Sequence, residues 1–258
     1  MSRGPDGALH VLHVDNHLLV VHKPACLPCV PDESGDRSLL DQGKDWLRER
    51  FDKPGNVFLG VVHRLDRPVS GVVAFARTSK AAARLSAAFR DRQVEKLYWG
   101  LAERPPHGLD RAGPGASLPE GRLEAWLRKD RARNRVVASR EPMAEAKRAV
   151  SLWRLRGTFQ HRGATRAMLE LVPETGRSHQ LRLAARSVAG PLLGDLKYGA
   201  SFPLEDASIA LHARALELTH PTTKERLRFE AAVPENEPWQ AAAALLGEVR
   251  PGRRETTR

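Results

Sequence analysis

The chain has 258 residues, 41% of them hydrophobic, enough apolar material to bury one large core or two small ones. Its formal net charge of +11 and its 42 basic residues, only nine of them lysine, point to a polyanionic partner, because arginine's planar fork matches phosphates and base edges. Two cysteines cannot build a disulfide framework, no apolar run approaches the roughly 20 residues that span a bilayer, and the N-terminus lacks a signal-peptide core, so the expected partner is nucleic acid, in the cytoplasm and away from membrane.

Residues 1–8 and the arginine-rich segment 250–258 lack periodic hydrophobicity and are expected to be flexible ends around a single domain over 9–249. Residues 10–22 (HVLHVDNHLLVVH) predict two short strands about an Asp-Asn turn, and residues 38–51 carry Leu39, Leu40, Trp46, Leu47 and Phe51 at helical spacing. Short apolar runs at 57–62 and 71–76 flank a polar segment, which predicts strand, loop, strand. Ser79 is expected to cap a helix bearing Ala82, Leu85 and Phe89 on its apolar face, with a strand following over 97–102. Proline and glycine concentrate in 105–119, a surface loop or insert.

Runs at 136–138, 150–155 and 167–172 predict further strands, and residues 178–189 (SHQLRLAARSVA) predict a helix with Leu181, Ala184, Ala185 and Val188 on one face. Strands interrupted by isolated helices, without regular βαβ alternation, predict an α+β fold with a mixed, largely antiparallel sheet and flanking helices. Trp46, Trp126 and Trp153 lie in apolar runs and are expected in the core.

The most informative segment is GVVHRLDRPVSGVVAFART, residues 60–78, where a short charged loop is held between two apolar strands and gives a carboxylate a rigid mount. Asp66 lies near Arg64 and Arg67, in positive potential, and Ser70-Gly71 supplies the tight backbone needed to re-enter the sheet. Read on its residues alone, the segment is equally a polar hairpin with an internal salt bridge. His63 is expected to make a structural hydrogen bond.

Other chemistries find weaker support. His22, Cys26 and Cys29 have the spacing of part of a zinc site but lack a fourth ligand nearby in sequence, so no metal is expected. A hydrolase triad built on His179 with Ser70 or Ser178 lacks a G-x-S-x-G elbow, and neither a P-loop nor G-x-G-x-x-G is present to hold a nucleotide cofactor.

The loop at 63–71 closely resembles the HRLDxxTSG signature of the RluA-like family of RNA pseudouridine synthases, and the resemblance continues in order over roughly residues 9–235. LLVVHKPACLPCVP resembles the family's opening strand and turn, EKLYWGL its tyrosine segment, and LRKD followed by Asn134 the middle of its pattern. ETGRSHQLRLAARSVAGPLLGDLKYG resembles the GRTHQIRVH and GDxxYG block, and ALHARALELTHPTTKERLRFEAAVP the closing LHA and HP elements. Five ordered matches are far more specific than one short motif.

The resemblance implies an enzyme that isomerises specific uridines in structured RNA, a tRNA or rRNA stem-loop, as a monomer without metal, nucleotide or redox cofactor. It implies Asp66 as the catalytic aspartate, Tyr98 as the tyrosine packed on the target base, and Arg182 as the basic residue pairing with the aspartate in a buried ion pair. Arg64 matches the arginine that enters the RNA stack where the nucleotide leaves, and Arg67, Arg177 and His179 are expected to contact RNA as well. Turning a base out of its helix costs a few kcal/mol, which inserted and stacking side chains offset. Asp66 is open to two roles, nucleophile at the anomeric carbon or base toward the neighbouring ribose proton.

Three positions depart from the family pattern: Val69 stands for threonine, Cys26 for glycine and Ala184 for histidine. With the opening strand starting by about residue 9, no preceding RNA-binding domain is expected, and substrate choice falls to the catalytic domain. The alternative is a catalytically silent RNA-binding protein of the same fold.

Overall fold

A computed structural model of the protein describes residues 9–52, 54–106, 109 and 118–247. The ends expected to be flexible at 1–8 and 250–258, and most of the insert expected at 105–119, lie outside the described residues. The chain runs β1 (His10–Val14), β2 (Leu18–Lys23), α1 (Leu39–Arg50), β3 (Gly60–Val61), β4 (Ser70–Ala76), α2 (Ser79–Arg90) and β5 (Glu95–Ala102). It continues through β6 (Glu120–Asp130), β7 (Arg135–Ser139), β8 (Lys147–His161), β9 (Ala164–Pro173), α3 (Gln180–Ala189), β10 (Leu211–Thr219), β11 (Arg226–Glu230) and α4 (Glu237–Ala241).

The strands form one sheet in the order β1-β2-β4-β10-β5-β9-β8-β6-β7, with β3 joined to β4 and β11 to β10. Every pairing is antiparallel except β4 with β10, which gives the mixed, largely antiparallel α+β architecture that the sequence predicts. The central strands read as continuous apolar runs because both of their faces are covered. Leu19, Val21, Val73 and Phe75 face a core that takes Leu39 and Leu47 from α1 and Leu181, Ala185 and Val188 from α3. Leu18, Val20, Val72 and Ala74 face the opposite side, under Ala81 and Leu85 of α2 and Phe229 of β11.

Local signals explain most element boundaries. Ser38 caps α1 in a full capping box with Asp41, which satisfies two of the helix's orphan donors reciprocally. The cap of α2 is Thr78, not Ser79: the Thr78 hydroxyl accepts from the Ala81 amide at 3.1 Å, and the buried face is Ala81 and Leu85. Residues 57–59 are not strand, although Val57 and Leu59 are buried, so that expectation shortens to Gly60–Val61. Trp46 and Trp153 pack partly against the core and Trp126 is half-buried, whereas the deepest tryptophans are Trp99 and Trp239.

The parallel contact of β4 with β10 fixes the exit of the 62–69 loop. Gly71 sits there at φ +123, and a Cβ on it would lie 2.3 Å from the Ala213 carbonyl oxygen and 2.6 Å from the Ala213 nitrogen, backbone atoms that no rotamer change can move. Gly71→Ala is therefore expected to destabilise the fold by about 3 kcal/mol or more, read as a lower urea midpoint. A variant with the wild-type midpoint would show that the two strands separate freely.

Candidate active site

Asp66 is presented by two apolar anchors. Leu65 and Val69 are buried in the main core on either side of it, and the Val69 amide donates to the Asp66 carbonyl at 3.0 Å, closing a turn. Beneath, the fully buried Lys23 donates to the carbonyls of Pro24, Leu27 and Arg67 at 2.8, 2.8 and 3.0 Å, so its three protons tie the 24–27 turn to the Asp66 loop. Burial pushes the Lys23 ammonium down to about 8. The Cys29 thiol contacts both Leu65 backbone groups, at 3.4 and 3.3 Å. Val69, where the family pattern has threonine, is itself core, so its lack of a hydroxyl leaves nothing unsatisfied.

α3 supplies the opposing wall. Gln180 locks its start, with Oε1 accepting from the Thr175 hydroxyl and the Arg177 amide while Nε2 donates to the Val150 carbonyl and the Ser151 hydroxyl. His179 precedes the helix in the left-handed region, φ +54. Arg182 projects from the first turn and places Nη1 3.6 Å from Asp66 Oδ2, and His179 Nε2 stands 3.8 Å from the same oxygen.

The ion pair expected between Arg182 and Asp66 is present as a 3.6 Å contact, but it is not the buried one. The main partner of Arg182 is Asp195, which it grips bidentately, Nε to Oδ2 at 2.7 Å and Nη2 to Oδ1 at 2.5 Å. The Asp195 side chain is 1% exposed whereas that of Asp66 is 35% exposed, so the buried carboxylate is Asp195 and Asp66 opens to solvent. Asp195 and Tyr198 were missed as individual site residues. The GDLKYG block that carries them was visible in the sequence, but their partners come into reach only through the chain reversal after α3.

Tyr98 on the central strand β5 lines the same cleft as Asp66, and among the described residues no protein group bonds its hydroxyl. Burial, with Asp66 nearby, raises its phenol above the ordinary tyrosine range. The cleft encloses about 1220 Å³, and Arg64, Asp66, Tyr98, Arg177, His179 and Arg182 all line it. A side cleft of about 230 Å³ opens on the other side of Asp66 toward Lys129 and Arg135. Arg64 is exposed where the two meet.

Arg67 behaves differently from its neighbours. Its guanidinium bonds Asp32, Ser34 and Asp36, so it orders the 32–36 turn at the rim of the side cleft. Arg177 is exposed and donates to the Arg148 carbonyl at 3.2 Å. His63 accepts the Ala74 amide at 2.9 Å and stacks on Phe89, and burial pushes its imidazole down to about 3, which fits the structural bond expected of it. Ser70 faces His212 at 2.8 Å, and the far nitrogen of His212 meets the Ala231 carbonyl rather than a carboxylate, so no hydrolase triad forms around it. Cys26 contacts the Asp206 carbonyl and Cys29 contacts Leu65. Cys26 takes φ +63, the left-handed conformation that suits the glycine of the family pattern.

The sequence profile described as RNA pseudouridylate synthase matches residues 17–187, two thirds of the chain. The chain belongs to this family. Its relatives include the ribosomal large subunit pseudouridine synthase D of Pseudomonas aeruginosa, 32% identical over 91% of this chain and 71% of that protein. The dual-specificity RNA pseudouridine synthase RluA of Haemophilus influenzae is 33% identical over 86% of this chain and 92% of that one. The tRNA pseudouridine synthase C of Yersinia pestis is 28% identical over 93% and 91%. Among solved structures, human RNA pseudouridylate synthase domain containing 4 superposes with a TM-score of 0.67 at 24% identity over 92% of both chains, a likeness of fold. This pseudouridine synthase is thus an isomerase that acts on RNA.

In this synthase, Arg182→Ala is expected to cost about 3–5 kcal/mol of stability, because it strands the buried Asp195 carboxylate. Adding Asp195→Asn should restore part of that stability, since an amide tolerates burial better than an unpaired charge. Chemical denaturation of the single and double variants tests this, and a double variant less stable than Arg182→Ala would contradict the pairing described here.

Proposed function

We propose that this synthase isomerises uridines presented by a stem-loop of tRNA or ribosomal RNA, as a monomer and without metal or nucleotide cofactor, with Asp66 as the catalytic carboxylate. The observation that carries the reading is the placement of Asp66: a partly exposed carboxylate on a rigid turn, flanked by the Arg182 and His179 side chains, in a cleft wide enough for an extruded nucleotide. Tyr98 offers a flat face and an unengaged hydroxyl to a uracil beside that carboxylate. Arg64, at the junction of the two clefts, is placed to fill the gap that an extruded nucleotide leaves. Asp66 acts on the ribose as nucleophile or base, and the freed uracil turns against Tyr98 before its carbon 5 bonds.

The substrate class draws on charge as well as on the relatives named for ribosomal RNA, tRNA and dual specificity. The tip of the β6–β7 hairpin carries Arg128, Lys129, Arg131, Arg133 and Arg135, all exposed and without an ion-pair partner among the described residues. Arginines elsewhere on the sheet pair with acids, as Arg148 does with Glu124 and Arg226 with Glu217. An unneutralised row beside the side cleft suits phosphates on a folded RNA. Arg177 and His179 are proposed to contact the same RNA, and Arg67 to shape the rim that receives it.

Mapping pseudouridine in cellular RNA with and without the protein is expected to reveal sites in tRNA or rRNA loops that vanish in its absence. RNA that binds with a steep salt dependence but shows no altered uridine would favour the silent binding protein instead. Replacing Arg131 and Arg133 with glutamine should flatten the log-log salt slope of RNA binding by up to about two, and an unchanged slope would remove the hairpin from the interface.

A further inference from the structure

His179 and Tyr198 form a relay that the mechanism above does not use. Tyr198 follows Asp195 in a short 3-10 turn, Leu196–Tyr198, and its ring lies under the Arg182 guanidinium, 4.9 Å from centroid to Cζ. Its hydroxyl accepts the Val136 amide at 3.0 Å and stands 2.6 Å from His179 Nδ1. A backbone N–H can only donate, so the Tyr198 hydroxyl accepts there and keeps its single proton available for His179 Nδ1; no other acceptor bonds that hydroxyl among the described residues. With Nδ1 accepting, the imidazole carries its own proton on Nε2, the nitrogen that faces Asp66 Oδ2.

His179 opens α3 at φ +54, a left-handed conformation that histidine adopts more readily than most side chains. Arg182 Nη1 approaches the same Asp66 oxygen at 3.6 Å. Both side chains thus make their closest approach to Asp66 at the same oxygen, Oδ2.

We infer that Tyr198 is a positioning residue that acts through His179: it fixes the imidazole as the Nε2–H tautomer, so that His179 and Arg182 together hold Asp66 Oδ2 and reserve Oδ1 for the target ribose. The inference rests on the reading of Asp66 as the catalytic carboxylate. Burial also keeps His179 neutral, with the nearby Arg182 charge acting the same way and Asp66 opposing it. The ring of Tyr198 supports Arg182 independently, so only its hydroxyl serves the tautomer.

The test is a double-mutant cycle on single-turnover pseudouridine formation with saturating protein, alongside RNA affinity. Tyr198→Phe keeps the ring beside Arg182 and is expected to slow the chemical step about tenfold, the scale of one hydrogen bond, with an unchanged RNA Kd. His179→Asn tolerates the left-handed backbone but places no donor at the Nε2 position, and it should slow the step at least as much. The double variant should be no slower than His179→Asn, because Tyr198 has nothing left to orient. Losses that multiply in the double variant, or a wild-type rate for Tyr198→Phe, would overturn the inference. Imidazole nitrogen NMR of the unsubstituted protein provides a reading independent of any variant: the His179 proton is expected on Nε2, and a proton on Nδ1 would overturn it too. Isomerisation surviving in Asp66→Asn would instead sink the underlying reading, while a failure confined to the relay leaves dependence on Asp66 intact.

Discussion

One guanidinium serves two carboxylates in this protein, and the active-site region is organised around it. Arg182 is committed through two of its nitrogens to Asp195 and extends the third toward Asp66, so the first turn of α3, the 195–198 turn and the 62–69 loop meet at a single side chain. A planar fork makes this division possible, since its donors diverge in a fixed geometry and cannot be rearranged one at a time. Asp195 is sealed from water and sets where the guanidinium lies. Asp66 takes what remains, a weaker and partly solvated contact, and stays accessible to a ligand.

The surrounding fold holds that geometry from below. The loop bearing Asp66 is pinned by buried Leu65 and Val69, by the Lys23 ammonium and by the Cys29 thiol, while Gly71 lets β4 run directly beside β10. Two of these supports also act on the site's charge, since the Lys23 ammonium interacts electrostatically with Asp66 and Cys29 lines the side cleft beside it. The catalytic role proposed for Asp66 calls for such a mount, because small displacements of a reacting atom cost rate steeply.

How much of this was legible in the sequence depended on where each residue's partner lies. β2, β4, β5 and β9 announced themselves as apolar runs and α3 as a 3.6-residue pattern, whereas the central β10 was not anticipated as a strand because Arg214 and Glu217 interrupt its apolar residues. β6 was not anticipated: its residues are mostly charged, since the strand lies near the sheet's edge, and only Leu123, Ala125 and Leu127 hint at alternation. Asp66, Tyr98, His179 and Arg182 were visible as motif positions, and the fold does bring them to one cleft. The pairing of Arg182 was not, because Asp195 is thirteen residues away across a reversal of the chain and the sequence offers two carboxylates to one arginine. Arg67 shows the converse limit, since adjacency to Asp66 along the chain says nothing about a side chain that turns to Asp36.

The departures from the family pattern fall where packing, not chemistry, decides. Val69 and Ala184 are buried, and Cys26 accepts a backbone conformation suited to glycine while its thiol finds the Asp206 carbonyl. The polar groups around Asp66 are undisturbed by any of them. That leaves the carboxylate itself as the point on which everything turns, and single-turnover pseudouridine formation by Asp66→Asn, first shown to be folded and RNA-bound, examines it most directly. Removing the charge while keeping the shape is expected to abolish isomerisation while RNA binding persists or tightens. Substantial residual isomerisation in that protein would contradict the catalytic role of Asp66.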